Sequence, residues 1–231
     1  MNSKRKLIVH ENAKSPIAEA FRTLRTNIHF AKVDGELHTL MFTSTGPAEG
    51  KSTVAANTAV AIAQSGKTVV IVDCDLRKPV QHHIFDCKNR GVTNILVEDI
   101  DPIELLQETA VENLKLLPSG PIPPNPSELL SSVKMGTLIT TLREQADVVI
   151  IDAPPAIAVT DACVLASRVD GILLVIGSGI TRPEMAQQAR DLLQKAQGKI
   201  LGAILNRVEI TKDHYYYYYY YGDEGKKKIA K

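Results

Sequence analysis

Lys51 and Ser52 close the stretch Thr45-Gly46-Pro47-Ala48-Glu49-Gly50-Lys51-Ser52-Thr53, and they are the residue types that grip a polyphosphate. A chain of phosphates is held by inward-turned backbone N–H groups and a helix N-terminus behind them. A lysine meets the β and γ oxygens, and a hydroxyl faces magnesium. Here Gly50 permits the close approach, Lys51 supplies the charge and Ser52 the hydroxyl. Thr45 stands where the strict pattern has glycine, so the motif alone leaves open a ligand-free Gly-Lys-Ser turn. Its setting favours a nucleotide triphosphate: an apolar strand before it, Thr39 to Thr43, and a small-residue helix after it, Val54 to Ala63.

Two more apolar runs each deliver carboxylates. Thr68 to Val72 leads into Asp73-Cys74-Asp75-Leu76-Arg77, and Val148 to Ile151 leads into Asp152-Ala153-Pro154-Pro155. Acids at the carboxyl ends of such strands sit where open α/β sheets bind ligands. Gathering buried acids costs several kcal/mol, on the order of 3–5, unless a cation joins them, and magnesium with nucleotide phosphates supplies one. The plainer reading of Asp-Cys-Asp is an acidic turn capping the next segment, which fits poorly after a wholly apolar strand. Asp152 reads as the metal-side aspartate of a Walker B motif, acting with Ser52. Asn206, at the end of the last predicted strand, is either an amide that reads a base edge or a turn-forming asparagine.

The elements that must position these groups alternate strand and helix along the chain. Further strands are predicted over 114–117, 171–176 and 199–205, with helices from Ser127 and over 183–196 and short helical turns within 92–110. Gly66 is placed to cap the helix after the loop. Alternation throughout predicts an α/β fold: a doubly wound, mostly parallel sheet with helices on both faces. Asp73, Asp152 and the phosphate loop then emerge at one edge. Ser15-Pro16 starts another helix, with Ile17, Phe21, Leu24 and Ile28 as its core stripe. Glu19, Arg22 and Arg25 fall at steps of three beside that stripe. They form either an intrahelical pair on a wet face or an acidic/basic strip between subunits.

The chain divides into a flexible start (1–14), a nucleotide-binding domain (15–207) and a flexible tail (208–231). Lys4-Arg5-Lys6 reads as a solvated start, with an acidic-lipid or partner contact as the alternative. Pro118 to Pro126 is expected to be an extended surface loop. His82-His83 and Cys87 lack partners at zinc spacing. A chain of 231 residues with 44% hydrophobic and 23% charged content suits one globular domain with its own core. A net charge of +1 provides no field for gathering nucleic acid. Cys74, Cys87 and Cys163 read as free thiols of a reducing compartment. With no apolar run of about 18 residues, the chain is not expected to span a membrane by itself.

The tail is unusual. Tyr215, Tyr216, Tyr217, Tyr218, Tyr219, Tyr220 and Tyr221 run without interruption and are all the tyrosines of the chain. Core packing cannot explain such a distribution. A stacking platform for single-stranded nucleic acid would call for a basic groove, whereas polar, flexible flanks favour an exposed substrate segment.

Taken in order, Glu19-x-x-Arg22-x-x-Arg25, Gly50-Lys51-Ser52-Thr53, Asp73-x-Asp75-x-Arg77, Asp152-x-Pro154-Pro155 and the tyrosine cluster resemble the bacterial tyrosine kinases of the capsular and exopolysaccharide type. Within these the likeness is to the branch whose cytoplasmic kinase is separate from its transmembrane activator. The resemblance implies a P-loop NTPase of the partitioning-ATPase-like superfamily, using ATP and Mg2+. It implies a ring-like homo-oligomer with Glu19, Arg22 and Arg25 at the interface, and autophosphorylation of the tail between subunits. The partners implied are a transmembrane activator (a polysaccharide co-polymerase), a protein-tyrosine phosphatase and protein substrates. The location implied is cytoplasmic, recruited to the inner membrane face, and the role is control of polysaccharide synthesis and export.

On this reading Lys51, Asp73, Asp75 and Asp152 are catalytic. Residues Thr45 to Thr53, Arg77 and Asn206 bind nucleotide, while Ser52, Asp75 and Asp152 hold the metal. One of Asp73 and Asp75 would serve magnesium and the other the incoming phenol. Lys51→Met or Asp73→Asn is expected to abolish tail phosphorylation without unfolding the protein. The runner-up is a partitioning or division-site ATPase switch, whose members carry a lysine early in the loop where Gly46 stands.

Overall fold

The structure, a computed structural model, describes residues 7–31, 37–98 and 100–209. Tyr215–Tyr221, the Lys4-Arg5-Lys6 cluster and the tail beyond 209 lie outside these residues. Seven strands form one sheet among the described residues: β1 (Thr39–Ser44), β2 (Val69–Asp73), β3 (Gln107–Glu108), β4 (Leu114–Leu117), β5 (Val148–Asp152), β6 (Gly171–Gly177) and β7 (Ile200–Asn206). Their order is β3-β4-β2-β5-β1-β6-β7, and every pairing is parallel except the short edge strand β3 against β4. The doubly wound, mostly parallel architecture is therefore as expected, with β3 an addition.

The apolar runs become strands because both of their faces are covered. Every residue of β1, β2 and β5 is buried. Successive side chains point to opposite faces, so Phe42, Ile71 and Ile150 enter one hydrophobic layer while Met41, Val72 and Ile151 enter the other. Fully burying each such side chain stabilises the fold by about 1.5–3 kcal/mol.

The first layer is closed by α1 (Ile8–Glu11), α2 (Pro16–Phe30) and α3 (Lys51–Ala63). Two short helices, α4 (Gln81–Ile84) and α5 (Val92–Glu98), precede a 3-10 turn at Pro102–Leu105. The second layer is closed by α6 (Pro126–Ser131), α7 (Val133–Gln145), α8 (Asp161–Ala166) and α9 (Pro183–Lys195). Twelve of the thirteen residues of α3 are buried. Its polar side chains are small or hydrogen-bonded, as Asn57 and Thr58 are, and its alanines let sheet and helices approach it closely.

Residues 7–9 depart from the expected solvated start, whereas residues 10–14 are exposed. Val9 is fully buried, and its N–H donates to Asn57 Oδ1 on α3 at 3.1 Å. A four-residue helix is too short to persist alone, so this contact with the phosphate-loop helix holds it. The proline-rich segment departs as well: Pro118 to Gly120 are buried, with the Pro118 and Ser119 carbonyls accepting from Val92 and Thr93 N–H at 2.8 Å. Pro121 to Asn125 form the exposed part of that loop. Ser15 caps α2 as expected, accepting from Ala18 N–H. Ile28 is buried, whereas Ile17 remains 45% exposed.

Candidate active site

The loop between β1 and α3 is shaped by its own side chains. Gly50 adopts φ 91°, the left-handed region that glycine tolerates. A Cβ there would lie 2.3 Å from Asn206 Nδ2. The Glu49 carboxylate is buried behind the loop and accepts from the N–H groups of Thr45 (2.8 Å) and Gly46 (3.2 Å). It also accepts from the hydroxyls of Thr45 and of Thr181, which follows β6. Asn206, at the end of β7, donates through Nδ2 to the Glu49 carbonyl at 2.8 Å. Thr45 in place of glycine therefore has a use: its hydroxyl helps to hold Glu49.

A cavity of about 290 Å³ opens in front of this loop. Gly46, Pro47, Ala48, Gly50, Lys51, Ser52 and Thr53 line it, with Asp75, Lys78 and Arg207 among the charged walls. Thr45, Glu49 and Asn206 stand behind as supports. Lys78 and Arg207 face the cavity with no carboxylate partner among the described residues. Unpaired cations beside phosphate-binding amides suit a polyanion.

At the back of the cavity Lys51 Nζ donates to Asp75 Oδ2 at 2.9 Å, Asp152 Oδ1 at 3.1 Å and Ser52 Oγ at 3.2 Å. Three acceptors match the three donors of an ammonium. Burial alone would lower its pKa, but Asp152 and Asp75 outweigh that, and Lys51 is pushed up to about 12. It stays charged at any working pH.

Register brings the acids together: β2 and β5 pair with Asp73 opposite Asp152. Asp73 is fully buried, and its oxygens are committed to backbone groups. Oδ2 accepts from Val80 and Gln81 N–H at 2.9 Å each, and Oδ1 from Asp75 N–H at 3.2 Å. Burial, and then the charge of Asp152, raises its pKa well above the carboxylate range. Asp75 lines the cavity and Asp73 does not, so of the two aspartates that the sequence left undecided Asp75 is the one exposed to a ligand there.

Arg77 also departs from its expected place at the nucleotide. Its Nε and Nη2 donate to the buried Asp161 at 2.9 and 3.0 Å, a two-point grip that ties β2's exit to α8. Asp161 and Gln81 were invisible to motif reading. Gln81 Nε2 donates to Asp152 Oδ2 at 2.7 Å and to the Ser52 carbonyl at 3.1 Å, while Gln81 Oε1 is buried with no hydrogen-bond partner among the described residues.

On α2, Arg22 pairs with Glu19 at 2.5 Å, and Arg25 Nη1 donates to the Ala61 carbonyl at 3.0 Å. The intrahelical pair is thus present, and Arg25 braces α2 against α3. The Ser52 hydroxyl and the carboxylates of Asp75 and Asp152, gathered around Lys51 Nζ, are hard oxygen donors of the kind that magnesium takes.

Comparison with known proteins follows the same lines. A family model described as ParA: NUBPL iron-transfer P-loop NTPase matches residues 38–231. The chain is 45% identical over 209 residues to the tyrosine-protein kinase YwqD of Bacillus subtilis strain 168, covering 90% of this chain and 88% of that protein. The crystal structure of the chimerical protein CapA2B2 superposes with a TM-score of 0.84 at 42% identity, covering 88% of this chain and 90% of that one. The kinase domain of the Escherichia coli tyrosine kinase ETK superposes with a TM-score of 0.83 at 31% identity, covering 91% and 85%.

Proposed function

The chain belongs to the bacterial tyrosine-protein kinases, built on a P-loop NTPase fold that works with ATP and magnesium, and on that premise we propose that it transfers the γ-phosphoryl group of ATP to tyrosine side chains, its own Tyr215–Tyr221 among them. The observation that carries this reading is Lys51, bridging Asp75 and Asp152 at the back of the cavity that the phosphate loop lines. Backbone amides from Ala48 to Thr53 bind the phosphates, and Lys51 turns from its acids to the β and γ oxygens. Lys78 and Arg207 add charge at the rim. Ser52 and Asp152 would hold magnesium, which supplies charge neutralisation across the phosphates.

Once Lys51 has turned to the nucleotide, Asp75 loses its cation and faces the open side of the cavity. It then orients the incoming phenol and accepts its proton. A phenol of pKa about 10 needs such help at neutral pH. In-line transfer depends mainly on positioning and charge. An extended segment from Asn206 to Tyr215 reaches about 30 Å at roughly 3.3–3.6 Å per residue, enough to present a tyrosine to a neighbouring subunit's cavity.

The same reading extends to a ring-like homo-oligomer with Glu19, Arg22 and Arg25 near its contacts. It includes a transmembrane activator that recruits the kinase to the inner membrane face, a protein-tyrosine phosphatase that resets it, and control of polysaccharide synthesis and export. The experiment is phosphotyrosine formation by purified chain with ATP and magnesium. Wild type should label itself, while Lys51→Met and Asp75→Asn should each lose most of the rate. Hydrolysis of ATP without phosphotyrosine would point instead to a nucleotide switch.

A further inference from the structure

We propose that Gln81 is a positioning residue for this reaction, locking the Ser52 and Asp152 metal-holding groups into one unit. The inference rests on the kinase reading and adds a residue outside every motif. Gln81 opens α4 and is fully buried. Its backbone N–H donates to Asp73 Oδ2, and its side-chain amide donates to Asp152 Oδ2 at 2.7 Å and to the Ser52 carbonyl at 3.1 Å. One residue therefore touches the phosphate-loop helix and the acids of two adjacent strands.

The consequence for Asp152 is directional. A carboxylate on a single bond can rotate, but here one oxygen is fixed by the amide and the other faces Lys51. Only the Lys51-facing oxygen remains for a cation once the lysine turns to phosphate. The donor is also neutral, so it organises two neighbouring acids without cancelling the charge that attracts metal. Gln81 Oε1 is a buried acceptor without a hydrogen-bond partner among the described residues. Buried acceptors call for a donor, and the hydration shell of a divalent cation provides one. Such outer partners orient ligands and change metal affinity or activity by about 10–100-fold when removed.

The test uses the full chain. Gln81→Met keeps length and packing but removes the donor; Gln81→Glu keeps shape and replaces the donor with an acceptor. Binding of Mn2+ in the presence of ADP is followed by electron paramagnetic resonance, and metal-free ADP binding by calorimetry. Phosphotyrosine rates are measured against magnesium concentration. Both variants should weaken Mn2+ by about 10–100-fold and raise the half-saturating magnesium in parallel, with metal-free ADP affinity unchanged. Wild-type metal binding in both variants, or an equal loss of metal-free ADP binding, overturns the role. If wild type forms no phosphotyrosine while Gln81→Met still weakens Mn2+·ADP binding, the kinase reading fails and the positioning role stands.

Discussion

Lys51 is the residue whose surroundings say most about the resting protein. Its ammonium is held by two acids and a serine hydroxyl, so nucleotide binding is an exchange of partners and not the filling of a bare positive hole. The exchange changes what Lys51→Met should do. Removing the lysine strands Asp75 and Asp152 in a buried site, and orphaning buried partners costs on the order of 3 kcal/mol. The variant is expected to stay folded and inactive but to melt lower, by roughly 2–4 °C per kcal/mol for a domain of this size. Thermal melts of Lys51→Met beside Asp75→Asn check this, and equal melting temperatures for Lys51→Met and wild type would contradict it. Gly50→Ala acts differently. It forces a left-handed alanine, costing about 1–2 kcal/mol, and pushes Asn206 from the Glu49 carbonyl. Calorimetry should find nucleotide affinity reduced along with stability; unaltered affinity would show that the Asn206 hook is dispensable.

At the scale of elements, the site is a product of register. β2 and β5 pair so that Asp73 lies opposite Asp152, and β1 delivers the loop between β5 and β6. Asp170, just before β6, pins the start of β1 by accepting from His38 and Thr39 N–H at 3.0 and 2.9 Å. Burial would raise its pKa, but those hydrogen bonds and Arg143 hold it below the usual carboxylate value. A depressed folded pKa gives stability above the unfolded value of about 3.9 that is lost as pH falls through the folded one. Asp170→Asn should therefore cost about 1–2 kcal/mol at neutral pH, with its deficit against wild type closing below about pH 4. A deficit constant with pH in urea titrations would rule out the charge as the cause. The strands and the motif acids were legible in the chain because uninterrupted β-branched runs have few other uses. What was not legible depends on distant partners. Arg77 reads as a phosphate ligand until Asp161, far along the chain, takes its fork. Gln81 carries no local signal at all, and α1 exists because Asn57 accepts from Val9. Asp73 and Asp75 look equivalent in sequence; only the turn at Val80 and Gln81, which takes up Asp73, separates it from the cavity-lining Asp75.

For the whole molecule, the proposal joins a rigid α/β body to a tail that holds every tyrosine of the chain. Full modification would add about −1.5 to −2 charges per tyrosine, against a net charge of +1 for the unmodified chain. Such tails repel one another, so phosphorylation should loosen the oligomer. Light scattering should give a lower mass for fully phosphorylated than for unmodified protein, and identical masses would refute the repulsion. The central claim is that this cavity hands phosphoryl groups to that tail. Peptide mass spectrometry of wild-type chain after incubation with ATP and magnesium tests it most directly. The account predicts phosphate on residues 215–221 in wild type and far less there in Asp75→Asn after the same time. Phosphate absent from those tyrosines in wild type while ATP is consumed, or equally present in Asp75→Asn, would contradict it.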